Sequence, residues 1–382
     1  MSIVAGRAQG ARGQTPFWIA ATAGLLALGF SRRDRQRRPS ADDERAPQPG
    51  FASSGGSGSE QTAARDRHDD ERGRAASTPS QIPARGWKDI LKRCYQRLDD
   101  DRILAIAAGV TFYALLAIFP AIAALVSIYG LFADPTTIAK HLDDISGMVP
   151  SGAIDVIRGQ LENLTSKGNS ALGLAFVVGL AISLWSANSG VKAMMDALNV
   201  AYGEREKRGF FRLNATSFIF TLGGIAAIII GLGALVVLPL TLQYLGLENE
   251  KWIAEAIKWP ALLVVVLLAL SLLYRYAPSR REAKWRWITW GSAVATIGWI
   301  AISIMFSWYA ANFGSYNKTY GSLGAVVGFM TWIWLSVTII LLGAELDAEM
   351  ERQTERDTTV GRPKPMGQRG ATVADTKGPA TT

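Results

Sequence analysis

Cysteine and histidine are nearly absent from this chain of 382 residues. Cys94 is the only cysteine, which excludes a disulfide within the chain and a metal site built from several cysteines. The only two histidines, His68 and His141, lie too far apart in sequence for a histidine-rich zinc centre. Phosphate-binding glycine loops, dinucleotide fingerprints, paired-histidine zinc motifs and nucleophile elbows are also missing. We therefore predict a protein that is not an enzyme, with no catalytic residues, no metal and no cofactor.

Charged residues are absent from six long windows, although they make up 19% of the chain. A bilayer core requires about 20 apolar residues of helix, and a helix satisfies its backbone polar groups internally in lipid. The windows are 103–133, 168–191, 213–247, 259–274, 287–317 and 319–344. This pattern predicts an all-α polytopic membrane protein with six core transmembrane helices.

Basic residues alternate between the segments that connect these windows. Segments 84–102, 192–212, 275–286 and the tail from residue 345 hold 22 lysines and arginines, against six in the intervening segments. Basic segments remain on the cytoplasmic side of a membrane. The asymmetry predicts a multi-pass protein of the bacterial inner membrane with a cytoplasmic C-terminus. It also accounts for the net charge of +8 without a nucleic-acid partner, and we expect none.

Composition divides the chain into four parts. Residues 1–31 include a short hydrophobic segment, for which an additional membrane anchor, a signal peptide and a loosely attached tail all remain open. Residues 32–84 are rich in Arg, Asp, Ser, Gly and Pro, which predicts a disordered cytoplasmic linker. Residues 85–352 form the six-helix domain. The polar residues 353–382 are predicted to be a disordered cytoplasmic tail.

An amphipathic helix is predicted immediately before the first window. Its apolar stripe, at spacings of three and four, is Trp87, Ile90, Leu91, Cys94, Tyr95 and Leu98. Its basic face is Lys88, Lys92, Arg93 and Arg97. Such a helix suits the inner leaflet of a membrane, but packing against the loops of the protein itself explains the pattern equally well.

Polar residues at the inner end of the second window are the strongest candidates for a functional role. The candidates for substrate binding or gating are Ser186, Asn188, Lys192, Asp196, Asn199 and Glu345. A polar helix end of this kind binds an anionic head group or gates a path, or it is an ordinary helix exit with satisfied polar groups. Glu345, at the inner boundary of the last window, is expected to pair with Lys192 or Arg275.

Two prolines lie inside apolar windows and are candidates for helix breaks. Pro120 and Pro239 each remove a backbone donor from a predicted transmembrane helix. The carbonyl freed near Leu116 either faces a cavity or is covered by Thr111 or Tyr113. A simple kink and a binding site are both compatible with these positions.

Three stretches resemble the YihY/BrkB family of bacterial inner-membrane proteins. They are TFYALLAIFP in the first window, SANSGVKAMMDALNVAYG before a basic loop, and YGSLGAVVGFMTWIWLSVTIILLGAELDAEM at the end. The resemblance covers about residues 85–352 and implies a six-helix membrane domain with cytoplasmic ends. The family has no established catalytic residues that could be assigned to positions of this chain. Many members bear the label ribonuclease BN, whereas this chain lacks a nuclease constellation.

These observations predict an integral membrane protein that transports an anionic or amphipathic envelope solute or lipid. The expected partners are membrane lipids and an unidentified solute. Two alternatives are a non-transporting envelope scaffold and a membrane-tethered tRNA-processing ribonuclease. The sequence leaves the oligomeric state open, a homo-oligomer included.

Overall fold

The computed structural model describes residues 71–129, 159, 172–244, 251–312 and 322–381. Within these residues the secondary structure is helical, apart from one isolated antiparallel bridge between Ala283 and Thr359. The predicted all-α fold class is therefore confirmed. The predicted N-terminal hydrophobic segment, and the linker as far as residue 70, lie outside the described residues.

Over its described residues, each of the six predicted windows lies in a long helix. In chain order the helices are α1 (Ala84–Asp100), α2 (Ile103–Tyr129), α3 (Leu172–Ala201), α4 (Phe210–Tyr244), α5 (Lys251–Tyr276), α6 (Trp285–Asn312), α7 (Ser322–Gln353) and α8 (Thr372–Asp375). A short 3-10 helix, Pro79–Gln81, precedes α1. Helix α3 continues ten residues beyond its window, so the polar candidates near its end lie on regular helix.

Four of these helices are long and apolar enough to cross a membrane over described residues. The stretches are Ile103–Leu125, Phe210–Gly231, Trp285–Tyr309 and Val326–Gln353, and α5 adds a shorter apolar stretch, Pro260–Tyr276. Large apolar side chains point outward, among them Ile182, Ile219 and Ile304 at 62%, 71% and 65% exposure. Because exposed apolar faces of this extent are costly in water, they identify a polytopic membrane protein.

Both candidate prolines lie inside continuous helices. Helix α2 runs through Pro120, and α4 runs past residue 239 to Tyr244. The Thr111 hydroxyl donates to the Ala107 carbonyl at 2.7 Å, so it does not cover the carbonyl near Leu116. Neither proline ends its helix.

Helices α5, α6 and α7 approach one another closely within the buried core, which α2 and α3 also help to form. A Cβ atom at Gly343 of α7 would lie 2.6 Å from the Tyr274 hydroxyl and 2.7 Å from the Ala295 Cβ atom. The Tyr274 hydroxyl in turn donates to the Ile340 carbonyl at 2.5 Å. Glycine is required here because it allows the helix backbones to approach closely.

The predicted apolar stripe of α1 is partly buried against the protein and partly exposed. Ile90 and Cys94 are buried and cluster with Met350 of α7. Leu91 and Tyr95 remain 59% and 62% exposed. One side of α1 therefore packs against the protein itself, while the other is free to contact lipid.

The described charged residues on both sides of the helical domain, 71–83 and 354–381, pack against the end of α7. They are parts of the segments predicted to be a disordered linker and a disordered tail. Arg74 donates to the carbonyl of Gln353 at 3.1 Å and to that of Gly378 at 2.7 Å. The Gly378 amide donates to the Arg352 carbonyl at 2.9 Å. The last carbonyls of a helix have no partner within the helix. Both segments fold because they supply donors to the end of α7.

Backbone amides of the tail contact two of the loops at the same end of the bundle. The Thr372 amide donates to Glu204 at 2.6 Å, and the Val360 amide donates to the Glu282 carbonyl at 3.0 Å. We call this assembly the cap. Its residues are 71–101, 202–209, 277–286 and 353–381.

Candidate functional site

A strip of polar side chains lies between α3 and α4. We call it the polar seam, and its members are Asn188, Lys192, Asn214, Ser217 and Thr221. Asn188 is fully buried, and its Oδ1 atom accepts a hydrogen bond from the Thr221 hydroxyl at 3.0 Å. Its Nδ2 atom is buried and donates to no described residue. A buried amide donor without a partner is unusual and requires an explanation.

The polar seam extends into the membrane-crossing part of α4. Thr221 lies eleven residues after Phe210, which places it about 16 Å along the helix at a rise of 1.5 Å per residue. The hydrocarbon core of a bilayer is about 30 Å thick. The seam therefore brings hydrogen-bonding groups to the depth at which apolar side chains are expected.

Lys192 gives the polar seam its charge. Its ammonium group donates to Asn214 Oδ1 at 2.6 Å and lies 5.0 Å from the centre of the Trp185 ring. Both partners are neutral, and among the described residues Lys192 makes no ion pair. A cation beside an apolar helix surface without a carboxylate partner favours an anionic ligand.

The other candidates on α3 do not join the polar seam. Asp196 is exposed. The side chain of Asn199 contacts the cap: its Nδ2 atom donates to Glu206 at 3.2 Å, and its Oδ1 atom accepts from the Ser279 amide at 2.7 Å. Ser186 is half-buried, and its carbonyl accepts from the Ser189 hydroxyl at 2.7 Å.

Glu206 is fixed in its charged form within the cap. The Arg208 side chain donates to it at 2.8 Å, and the Arg208 amide donates at 2.9 Å. Burial raises the pKa of Glu206, but these hydrogen bonds outweigh burial and lower the pKa to about 2. The loop between α3 and α4 is therefore held by a charged carboxylate.

Glu345 is buried, and neither of its expected partners reaches it. Both carboxylate oxygens of Glu345 lack a hydrogen bond to any described residue. Lys192 binds Asn214 instead, and the guanidinium of Arg275 lies 4.4 Å from the Trp285 ring. One turn further along α7, Glu349 binds Arg93 of α1 at 2.5 Å. The expected pairs do not form because this face of α7 faces α1 rather than α3.

The end of α7 carries three further buried acids that the sequence reasoning did not single out. Asp347 Oδ1 accepts from the Gly291 amide at 2.7 Å. Glu349 binds Arg93, and Glu351 lies 2.6 Å from Arg280. Acidic residues at alternate positions lie on two sides of a helix. Here Glu349 and Glu351 bind arginines, and Asp347 binds a backbone amide. Arg93, assigned to an exposed basic face, is instead a buried partner of α7.

Arg275, at the end of α5, is a second buried cation near the membrane boundary. It is 8% exposed and lies between the rings of Trp285 and Tyr276, at 4.4 Å and 5.3 Å. Its Nε and Nη1 atoms donate to no described residue. The two rings stabilise the charge by cation–π attraction but leave its donors unused.

The described residues contain no group of three or more His, Cys, Asp or Glu side chains that could hold a metal ion. Cys94 is buried, and burial raises the pKa of its thiol. The chemistry that the described side chains support is recognition of an anion by cations and amide donors.

Comparisons with known proteins place these features in a wider group. The family described as Virulence factor BrkB matches residues 94–367. The ribonuclease-like protein YfkH of Bacillus subtilis is 28% identical over 277 residues, which cover 69% of this chain and 96% of that protein. A UPF0761 membrane protein of Methylibium petroleiphilum is 26% identical over 274 residues, which cover 69% of this chain and 62% of that protein. No protein of known structure matches the chain.

Proposed function

The chain belongs to the BrkB family of integral membrane proteins, and on that premise we propose that it transports an anionic or amphipathic solute of the cell envelope. The observation that carries this proposal is the polar seam. Among the described residues, its ammonium group has no carboxylate partner, and its buried Asn188 amide donor has no acceptor. A phosphate or carboxylate supplies the acceptors that both groups need.

The proposed solute is an anionic lipid or a molecule of similar amphipathic character. The polar seam offers a cation and amide groups on one side, and exposed apolar faces such as that of Ile219 lie on the same helix. A head group in the seam would therefore leave its acyl chains in contact with apolar surface. This arrangement suits a molecule that combines a charged group with hydrocarbon.

We further propose that the protein resides in the bacterial inner membrane with the cap in the cytoplasm. The segments of the cap and their neighbours hold most of the 22 basic residues counted on one side of the windows. Their positive charge favours the cytoplasmic side. In this orientation the polar seam is entered from the inner leaflet.

Transport is tested by reconstituting the purified full-length protein into vesicles of phosphatidylcholine and phosphatidylglycerol. Fluorescent phosphatidylglycerol or phosphatidylcholine reports lipid movement when dithionite quenches the outer leaflet, and a radiolabelled small organic anion reports solute uptake. We expect movement of an anionic probe above the rate in protein-free vesicles. Rates equal to those of protein-free vesicles for every probe would overturn the proposal and favour a non-transporting scaffold.

A ribonuclease is the second candidate, favoured only by the name of the Bacillus subtilis relative. Purified protein, freed of contaminating nucleases, is incubated with a labelled transfer RNA precursor. The activity would be established if cleavage co-purified with the protein through two different columns. Cleavage should also be lost when an affinity resin removes the protein. We expect the RNA to remain intact.

A further inference from the structure

The cap contains a cavity of about 380 Å³ that is separate from the polar seam. Three parts of the chain line it, namely Ser77 before α1, the stretch 284–287 at the start of α6, and the tail between residues 355 and 369. Its volume is within the range of small-molecule sites, which begins at about 300 Å³. The cavity exists because the charged tail folds back onto the bundle.

Five cations and two carboxylates line this cavity. The cations are Lys284, Arg286, Arg356, Lys364 and Arg369, and the acids are Glu355 and Asp357. Glu355 is already paired with Lys377, which does not line the cavity. The lining therefore carries an excess of positive charge.

Neutral groups hold the cation and the acid at the base of the cavity. Arg369 donates to the carbonyls of Glu355 at 2.5 Å and Ala374 at 2.7 Å. Asp357 accepts from the Thr359 and Lys364 amides at 2.9 Å and 2.8 Å. Carbonyl acceptors fix the position of the Arg369 guanidinium, and its positive charge also attracts the Asp357 carboxylate.

Three further cations at the cavity have no partner of their own. The guanidinium groups of Arg286 and Arg356 and the ammonium group of Lys364 form no hydrogen bond or ion pair with any described residue, and all three residues are exposed. Arginine presents paired donors that match the oxygens of a phosphate group. These side chains are therefore available to a phosphate that enters the cavity.

The wall formed by α6 lies at the membrane boundary. Arg286 is the second residue of α6, between Trp285 and Trp287. Trp287 is buried in the cavity lining, whereas Trp285 is 47% exposed and Trp290, one turn further, is 45% exposed. Exposed tryptophans near the end of a membrane helix lie at the level of the lipid head groups.

We propose that this cap cavity binds a phosphate monoester or diester, carried either by the head group of an anionic lipid or by a small soluble compound. The free cations contact the phosphate oxygens, and Arg369 supplies a fixed positive charge beneath them. The site goes beyond the proposed transport function, because binding here requires neither movement through the polar seam nor any substrate of it.

Binding is measured on the full-length protein in a neutral detergent by isothermal titration calorimetry. The probes are inorganic phosphate, glycerol 3-phosphate, short-chain phosphatidylglycerol and short-chain phosphatidylcholine. We expect the phosphate-bearing anionic probes to bind, more weakly as salt increases because exposed cations are screened. Tighter binding of phosphatidylglycerol than of glycerol 3-phosphate identifies a lipid source, and equal binding identifies a soluble source.

The double variant Arg286→Gln/Arg356→Gln is expected to weaken binding about tenfold or more, which corresponds to about 1.4 kcal/mol. Lys364→Gln, at an exposed tail position, is a second variant that keeps the test valid if the double variant does not fold. Arg362→Gln is the matched control, because Arg362 is an exposed tail residue outside the cavity lining. Unchanged affinity in both cavity variants would overturn the proposal, as would an equal loss in Arg362→Gln.

Discussion

Arg280 and Glu351 form an ion pair at 2.6 Å in which neither side chain is exposed. The Arg280 guanidinium also lies 4.3 Å from the centre of the Tyr202 ring, and Glu351 accepts from the Thr358 hydroxyl at 2.6 Å. Four parts of the chain meet at this pair: the end of α3, the loop before α6, the end of α7 and the tail. The cap is consequently a folded unit rather than a set of loose ends.

Glu351→Ala is expected to destabilise the protein by about 3–5 kcal/mol, because it leaves a buried guanidinium without its partner. Glu355→Ala is the matched control, since the Glu355–Lys377 pair is 51% and 35% exposed. An exposed pair of this kind contributes about 1 kcal/mol or less. The Tm of each variant in detergent measures the difference. Equal Tm losses in the two variants would contradict the role given to the buried pair.

Gly343→Ala is expected to lower the Tm because its Cβ atom would collide with the Tyr274 hydroxyl and Ala295 at the centre of the bundle. Overpacking of a tight core costs about 1–3 kcal/mol. Gly224→Ala on α4 is the control, because a Cβ atom there meets nothing within 4 Å. The control should have an unchanged or slightly raised Tm, since alanine is the better helix former. A stable Gly343→Ala variant would show that the helices do not meet this closely.

Trypsin is expected to cleave slowly after Arg369 in the folded protein. Arg369 is buried, and its guanidinium is held by backbone carbonyls. Arg74→Ala removes the donors to Gln353 and Gly378 and should accelerate cleavage after Arg369 about tenfold, as expected when a local opening becomes easier. Arg85→Ala, which breaks an exposed pair with Glu71, serves as the control. Mass spectrometry over time identifies the fragments, and immediate cleavage of the wild type after Arg369 would refute the packed arrangement.

Glu206→Gln is expected to lower the Tm at neutral pH. The difference in Tm between this variant and wild type is expected to become smaller at acidic pH. Folding lowers the pKa of Glu206 from an ordinary value of 4.5 to about 2, with burial opposed by hydrogen bonds from Arg208. Its carboxylate therefore stabilises the fold fully above about pH 4.5, and this contribution is lost as the pH falls towards 2. The Tm difference from wild type should be constant between pH 7.5 and pH 5 and narrow below pH 4.5.

The control for Glu206→Gln changes a carboxylate that does not form hydrogen bonds of this kind with the described residues. Glu282→Gln, at an exposed position on the neighbouring loop, should keep a Tm close to that of wild type throughout the range. A Tm difference for Glu206→Gln that stays the same at pH 3.5 would contradict the assignment.

The helices of this protein, α1 included, could be predicted from its sequence, whereas the packing of the other cap segments could not. Uncharged windows of spanning length leave the backbone only one satisfactory arrangement in lipid, so each window became a helix. Arg74 and Arg369 look like solvated linker residues when considered alone. Their partners are backbone carbonyls, which every residue has and which leave no trace in sequence.

Only part of the candidate site could be predicted from the sequence. Asn188 and Lys192 were recognisable because polar residues stand out near an apolar window. Their partners Asn214 and Thr221 lie on α4 at helical spacing with Ser217, a polar face that the sequence does display. The pairing expected for Glu345 failed because sequence spacing gives the face of a single helix but not the helix that packs against it.

The comparison that tests the central proposal most directly is the initial rate of fluorescent phosphatidylglycerol movement in vesicles containing wild type, Asn188→Leu/Thr221→Val or Thr216→Val. Thr216 lies on α4 with its hydroxyl bonded within its own helix, so Thr216→Val controls for the loss of a threonine hydroxyl from α4 outside the polar seam. With folding checked by Tm, we predict a loss of about tenfold, or about 1.4 kcal/mol, in the seam variant and a wild-type rate in the control. Equal rates in all three proteins, or none above that of protein-free vesicles, would contradict transport along the polar seam.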